Sequence, residues 1–77
     1  MFVFSQDKHT IITKEGIYEV VQPRDEEGNA QEEWLIVFYD NNRPIVMGQY
    51  TSSEEAIGVM KDLFRAIDIG KKCFYIY

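Results

Sequence analysis

One cysteine, one histidine, one tryptophan and two prolines are all that this 77-residue chain holds of those residue types, and no apolar run in it exceeds six residues. With Cys73 alone, no internal disulfide can form, so the chain falls outside the disulfide-stapled secreted domains. One His and one Cys also fall short of the set of about four ligands that structural zinc needs. The longest apolar run, Trp34 to Tyr39, is far below the roughly 20 residues of a membrane-spanning helix. Near the N-terminus, Met1-Phe2-Val3-Phe4-Ser5 is interrupted by Gln6, Asp7 and Lys8. It has neither the basic start nor the long apolar stretch of a signal peptide, so a cytoplasmic location is expected. Basic residues are few: eight Lys and Arg face thirteen acids, for a formal charge of −5. That balance repels phosphate backbones and anionic membranes, so neither nucleic acid nor a membrane is an expected partner. Gly16, Gly28, Gly48, Gly58 and Gly70 stand far apart, so no glycine-rich phosphate loop is encoded.

What the chain does have is apolar and aromatic side chains in quantity. At 45% hydrophobic and 14% aromatic it offers enough burial to offset the entropy of ordering the backbone, and residues 1–77 read as one domain. Its core must be thin, since a domain of this size buries only about 60% of its unfolded surface. Short β-rich runs lie at Phe2–Ser5, Thr10–Thr13 and Ile17–Gln22, separated by hairpin-length connections. A second pair, Trp34–Tyr39 and Ile45–Tyr50, flanks Asp40-Asn41-Asn42-Arg43-Pro44, where Asn and Asp tolerate left-handed backbone and Pro is expected to end pairing. Between the two sets, the segment from Pro23 to Glu33 carries five acids and no large apolar residue, which predicts a mobile, solvated loop.

A helix is the best-marked element. Ser52 followed by Glu55 forms a capping box, and Glu54 favours the same end through the helix dipole. Ala56, Met60, Leu63, Phe64 and Ile67, widened by Ile57 and Val59, predict an apolar stripe, with Met60, Leu63, Phe64 and Ile67 as the main core contact. Gly70 is the expected stop, with Lys71 and Lys72 complementing the C-terminal dipole. Cys73–Tyr77 reads as a last strand. The expected fold class is α+β: an antiparallel meander of about five strands with one amphipathic helix packed on it and a short C-terminal strand. The alternative is a rolled sheet of the pleckstrin-homology type, capped by the helix.

That architecture contains a conflict. A sheet with one wet face alternates apolar and polar residues, yet Trp34–Tyr39 and Cys73–Tyr77 are apolar at both parities. A single helix covers one face, so the other either curls on itself or meets a partner. The candidate interface residues are therefore Trp34, Ile36, Phe38, Tyr39, Tyr75 and Tyr77, because aromatics with a polar tip suit interfaces. The expected partner is a second copy, with a dimer the default closed form, or a host protein. Two further readings stand beside it. Tyrosines could line a small-ligand pocket between sheet and helix. Alternatively, Asp25, Glu26, Glu27, Glu32 and Glu33 could mimic nucleic acid in a basic groove.

Catalytic chemistry finds little footing. His9 and Cys73 would be the only thiol–imidazole pair, with no orienting residue identifiable, and a lone Cys in an apolar strand ordinarily packs as a small hydrophobe. Asp25, Glu26 and Glu27 lack the spaced oxygens and turn glycine of an EF-hand loop. No enzymatic activity, cofactor or metal is expected.

Two stretches carry a resemblance. Met1-Phe2-Val3-Phe4-Ser5-Gln6-Asp7-Lys8 with Thr10-Ile11-Ile12, and Gly48-Gln49-Tyr50-Thr51-Ser52-Ser53-Glu54-Glu55-Ala56 with Gly70-Lys71-Lys72-Cys73-Phe74, resemble a group of small uncharacterised proteins from Firmicutes and their phages. The resemblance covers about the first dozen and the last thirty residues, and the acidic loop and Trp34 have no counterpart in it. It implies a cytoplasmic, prophage-borne accessory protein and brings no activity or site residues with it.

Overall fold

The computed structural model describes residues 1–77 as an α+β fold of six strands and one helix. The strands are β1 (Phe2–Phe4), β2 (Ile11–Ile12), β3 (Ile17–Val21), β4 (Trp34–Asp40), β5 (Arg43–Tyr50) and β6 (Cys73–Tyr75), and α1 spans Ser53–Asp68. They form two three-stranded sheets rather than one meander or a rolled barrel, with orders β2-β1-β6 and β3-β4-β5. The second is the antiparallel meander that the sequence predicts. The first differs: β6 returns from the helix to lie parallel to β1, pairing Phe2 with Cys73, Val3 with Phe74 and Phe4 with Tyr75. A parallel neighbour requires a long crossover, and α1 supplies it. Stacking of the Phe4 and Tyr75 rings, 4.5 Å between centroids, reinforces that pairing.

The β4–β5 connection is tighter than the sequence implies. Asn41 and Asn42 both adopt positive φ, 51° and 68°, so the turn needs only two residues and strand pairing resumes at Arg43. Two successive left-handed residues match the twist of the flanking strands. Pro44 does not end the pairing but lies opposite Tyr39. It is tolerated because β5 is an edge strand, where a missing N–H need not break the ladder. Register shifts between Ile36 and Val37, which pair with Gly48 and Val46 and leave Met47 as the extra residue of a bulge. The bulge turns Met47 inward to 1% exposure and brings Gly48 against Tyr50.

Helix α1 begins as the capping motif predicts at one arm. The Glu55 N–H donates to Ser52 Oγ at 3.2 Å, while the Glu55 carboxylate accepts from the Thr51 and Ser52 hydroxyls instead of reaching back to the cap N–H. At the other end Gly70 takes φ 75°, with Gly70 N–H donating to Ile67 O and Lys71 N–H to Ala66 O. This is a Schellman close, which glycine adopts without Cβ strain.

The core lies between α1 and the inner face of the β3-β4-β5 sheet, with the small sheet closing one end. Ile36, Phe38, Met47, Tyr50, Ala56, Val59, Leu63, Val3, Ile12 and Ile76 form one buried cluster. Only 14 of 77 residues are buried, so this core is as thin as the length implies. The helix stripe is rotated from the expected one. Ala56, Val59, Leu63 and Ala66 are buried, whereas Phe64 and Ile67 stand 70% and 54% exposed. Both sets repeat at intervals of three, four and three residues, so each forms a straight seam; a seam of Ala, Val, Leu and Ala lets the backbone approach the sheet closely, which the bulkier set would prevent.

Candidate interaction surface

Of the six candidate interface residues, Ile36 and Phe38 are 0% exposed and belong to the core beneath the helix, so they are not surface residues. Their parity, shared with Trp34, is the inner one. Trp34 is half-buried and packs against the same core. Tyr39 is half-buried on the opposite, outer face, where its hydroxyl donates to Glu19 at 3.3 Å. Burial of the ring and the nearby Glu19 carboxylate raise the Tyr39 hydroxyl pKa above its ordinary value. Tyr75 and Tyr77 are exposed, at 54% and 59%, yet both are engaged within the chain. Tyr75 stacks on Phe4, and the Tyr77 hydroxyl donates to the Asp62 carboxylate on α1, which raises its pKa. The main-chain oxygen of Tyr77 accepts from the Tyr50 hydroxyl at 2.7 Å. The C-terminal residues thus strap down one flank of α1.

The outer face of the β3-β4-β5 sheet carries Ile17, Val21, Leu35, Val37, Tyr39 and Val46, as the alternation of the ladder dictates. Val37 is 3% exposed but outside the core cluster: its cross-strand neighbours Glu19 and Val46 shield it at the centre of the face. Apolar residues at both parities of β4 are thereby explained in part within one chain. Ile17 and Val46 remain 65% and 49% exposed on that face.

A second apolar surface lies where the periodicity predicts core. Ile57, Met60, Phe64 and Ile67 run along the flank of α1 opposite the strapped one. Ile57, Met60 and Phe64 line a shallow groove with Lys61, Arg65 and Asp68, and Ile67 lines another of about 390 Å³ with Met1, Val3 and Tyr18. Tyr18 belongs to β3, so this flank overlooks the β3 edge of the sheet. The Tyr18 hydroxyl is buried without a hydrogen-bond partner, and burial pushes its pKa up to about 12. The signal that could have separated this seam from the core one is residue size: two parallel seams on one helix cannot both face one sheet, and the smaller side chains pack closest.

The remaining chemistry-bearing residues do not converge. His9 is exposed in the β1–β2 turn, where its backbone N–H donates to Asp7, and no hydrogen bond joins it to Cys73, which is exposed on β6. No group of three or more His, Cys, Asp or Glu side chains is placed to hold a metal ion. The acidic segment folds back on itself more than its composition predicts. Arg24 bridges Ala30, and the Asp25 carboxylate accepts from the Glu27 and Asn29 N–H groups, both at 2.9 Å. Its five acids are nonetheless dispersed around an exposed or half-exposed turn. No helix is long and apolar enough to cross a membrane. No family model, curated protein or solved structure matches this chain.

Proposed function

We propose that this chain is a non-enzymatic interaction protein that works as a homodimer. One observation carries the reading: the helix presents a second apolar seam in which Ile57, Phe64 and Ile67 are exposed, Phe64 at 70%, while half-buried Met60 joins that seam to the core. A contiguous apolar stripe of this kind marks a contact surface rather than ordinary surface scatter. Dimer formation also offsets the thin core that 77 residues permit. The resemblance of both ends of the chain to proteins of Firmicutes and their phages supports a cytoplasmic accessory role. Sedimentation equilibrium across a hundredfold dilution range tests self-association. A mass rising from one chain to two is expected, and a folded single chain throughout rejects the reading.

A further inference from the structure

We infer that two copies of this chain join edge to edge through β3, forming one continuous six-stranded antiparallel sheet with both helices on the same face and their Ile57–Ile67 flanks facing each other. The inference rests on the self-association proposed above and specifies its geometry. Three features lead to it.

The first is the sheet edge. In the order β3-β4-β5, the β5 edge is already engaged: Gln6 N–H donates to Met47 O at 2.7 Å, and Gln49 N–H donates to the Gln6 side chain at 2.8 Å. No hydrogen bond reaches the backbone along the outer edge of β3, whose only partner is β4. An open edge is a template for another strand. The second feature is the helix flank, which overlooks that same edge through the groove shared by Ile67 and Tyr18. The third is that the opposite flank is closed by the C-terminal strap from Tyr77 to Asp62 and Tyr50.

Edge and flank can be satisfied together by one operation, a twofold axis normal to the sheet beside β3. That axis reverses both strand and helix direction, so β3 meets β3 antiparallel and α1 meets α1 antiparallel. If each helix sits over its own β4, three strand spacings of about 4.8 Å put the helix axes about 14 Å apart. This exceeds the 8–10 Å of interdigitated helices, so only long side chains can meet across it. Phe, Met and Ile can span that gap, whereas the Ala and Val of the core seam could not. In area, Ile57, Phe64, Ile67 and Met1 average about half exposure. At roughly 200 Å² per large side chain they supply about 400 Å². The strand backbone, and part of Ile17 on the outer face beside the new pairing, add to this, towards the roughly 800 Å² per partner of a stable dimer.

Glu19 restricts the register. At the centre of β3, it would oppose its own copy if the axis passed beside it, and like charges directly opposite destabilise a pair. Axes beside Tyr18 or Val20 set Glu19 against Ile17 or Val21 of the other copy and keep both helices on one face.

The test compares wild type with Phe64→Glu, Ile57→Lys and Val46→Glu by sedimentation equilibrium, with circular dichroism to confirm folding and amide exchange read on β3 at low and high protein concentration. All three positions are exposed, so the monomer should tolerate the changes. Wild type and Val46→Glu should dimerise, while Phe64→Glu and Ile57→Lys should weaken dimerisation by about a hundredfold, as for an interface hot spot. The β3 amides should become protected as dimer forms. Association should strengthen with added salt, which screens repulsion between two chains of charge −5. A dimer broken by Val46→Glu but not by the helix variants would leave self-association standing and overturn this geometry in favour of the outer sheet face. A dimer whose β3 exchange is independent of concentration would overturn the continuous sheet. A wild type that stays one chain would overturn both proposals.

Discussion

Leu63 and Phe64 are adjacent in sequence and, by hydrophobicity alone, equivalent; the structure sets them on different seams, and truncating each to alanine should give sharply different results. Leu63 is 2% exposed inside the core cluster, whereas Phe64 is 70% exposed on the free flank. Removing three buried carbons from Leu63 loses their transfer free energy and leaves a cavity that a sheet and helix in close contact cannot collapse, a cost of about 2–5 kcal/mol. A domain of this length is stable by about 4–11 kcal/mol. Leu63→Ala should therefore lose from about a fifth of the total to all of it. With a urea slope near 1 kcal/mol/M, expected for a small domain, the midpoint falls by about 2 M or more. Phe64→Ala should shift monomer stability by less than about 1 kcal/mol, since most of that ring is already in water. Both are read by Trp34 fluorescence in urea, at a protein concentration low enough for the monomer to dominate. A Leu63→Ala midpoint within error of wild type, or a Phe64→Ala loss equal to that of Leu63→Ala, would refute the rotation of the helix stripe.

Further expectations follow from single contacts. A Cβ at Gly16 would lie 2.5 Å from the Phe38 ring, which is 0% exposed and cannot retreat, so Gly16→Ala should lower the thermal midpoint by several degrees in calorimetry; an unchanged midpoint would contradict that close approach. Ser52→Ala removes the acceptor for the Glu55 N–H and should cost about 1 kcal/mol in urea unfolding followed by circular dichroism, with Ser52→Asp retaining the cap. The hydroxyls of Tyr18 and Tyr50 are each raised to about 12, chiefly by burial, from an ordinary value of 10. The folded state thus holds protons that the unfolded state releases, so the contribution of these two groups should be constant below pH 10 and stability should fall as pH rises from 10 towards 12. Phenolate absorbance should show a late-titrating set of tyrosines that includes Tyr18 and Tyr50, and Tyr50→Phe should lessen the alkaline loss while giving up the bond to the Tyr77 oxygen; a stability that rises above pH 10 would contradict the assignment.

Local chemistry was legible in the sequence and tertiary partnership was not. Ser52, Glu55 and Gly70 bound a helix because a hydroxyl, a carboxylate and a missing Cβ act within a few residues, whatever lies beyond. The meander over Ile17–Tyr50 follows from β-branched and aromatic runs broken by turn formers, and Asn41-Asn42 closes its tight turn for the same local reason. Composition alone also predicts the thin core and the acidic, solvated segment. The tertiary structure decided three things that depend on what meets what. It paired β6 parallel with β1, a choice that rests on the path of the helix crossover rather than on Cys73–Tyr75 themselves. It turned Ile36 and Phe38 inward and shielded Val37 outward, so the two-faced apolar pattern of β4 is partly satisfied in one chain. Finally, it selected between two apolar seams of identical spacing: the on average smaller set Ala56, Val59, Leu63 and Ala66 allows the helix to approach the sheet, which leaves Ile57, Met60, Phe64 and Ile67 on the flank above the open β3 edge. Periodicity finds both seams; only packing distance separates them.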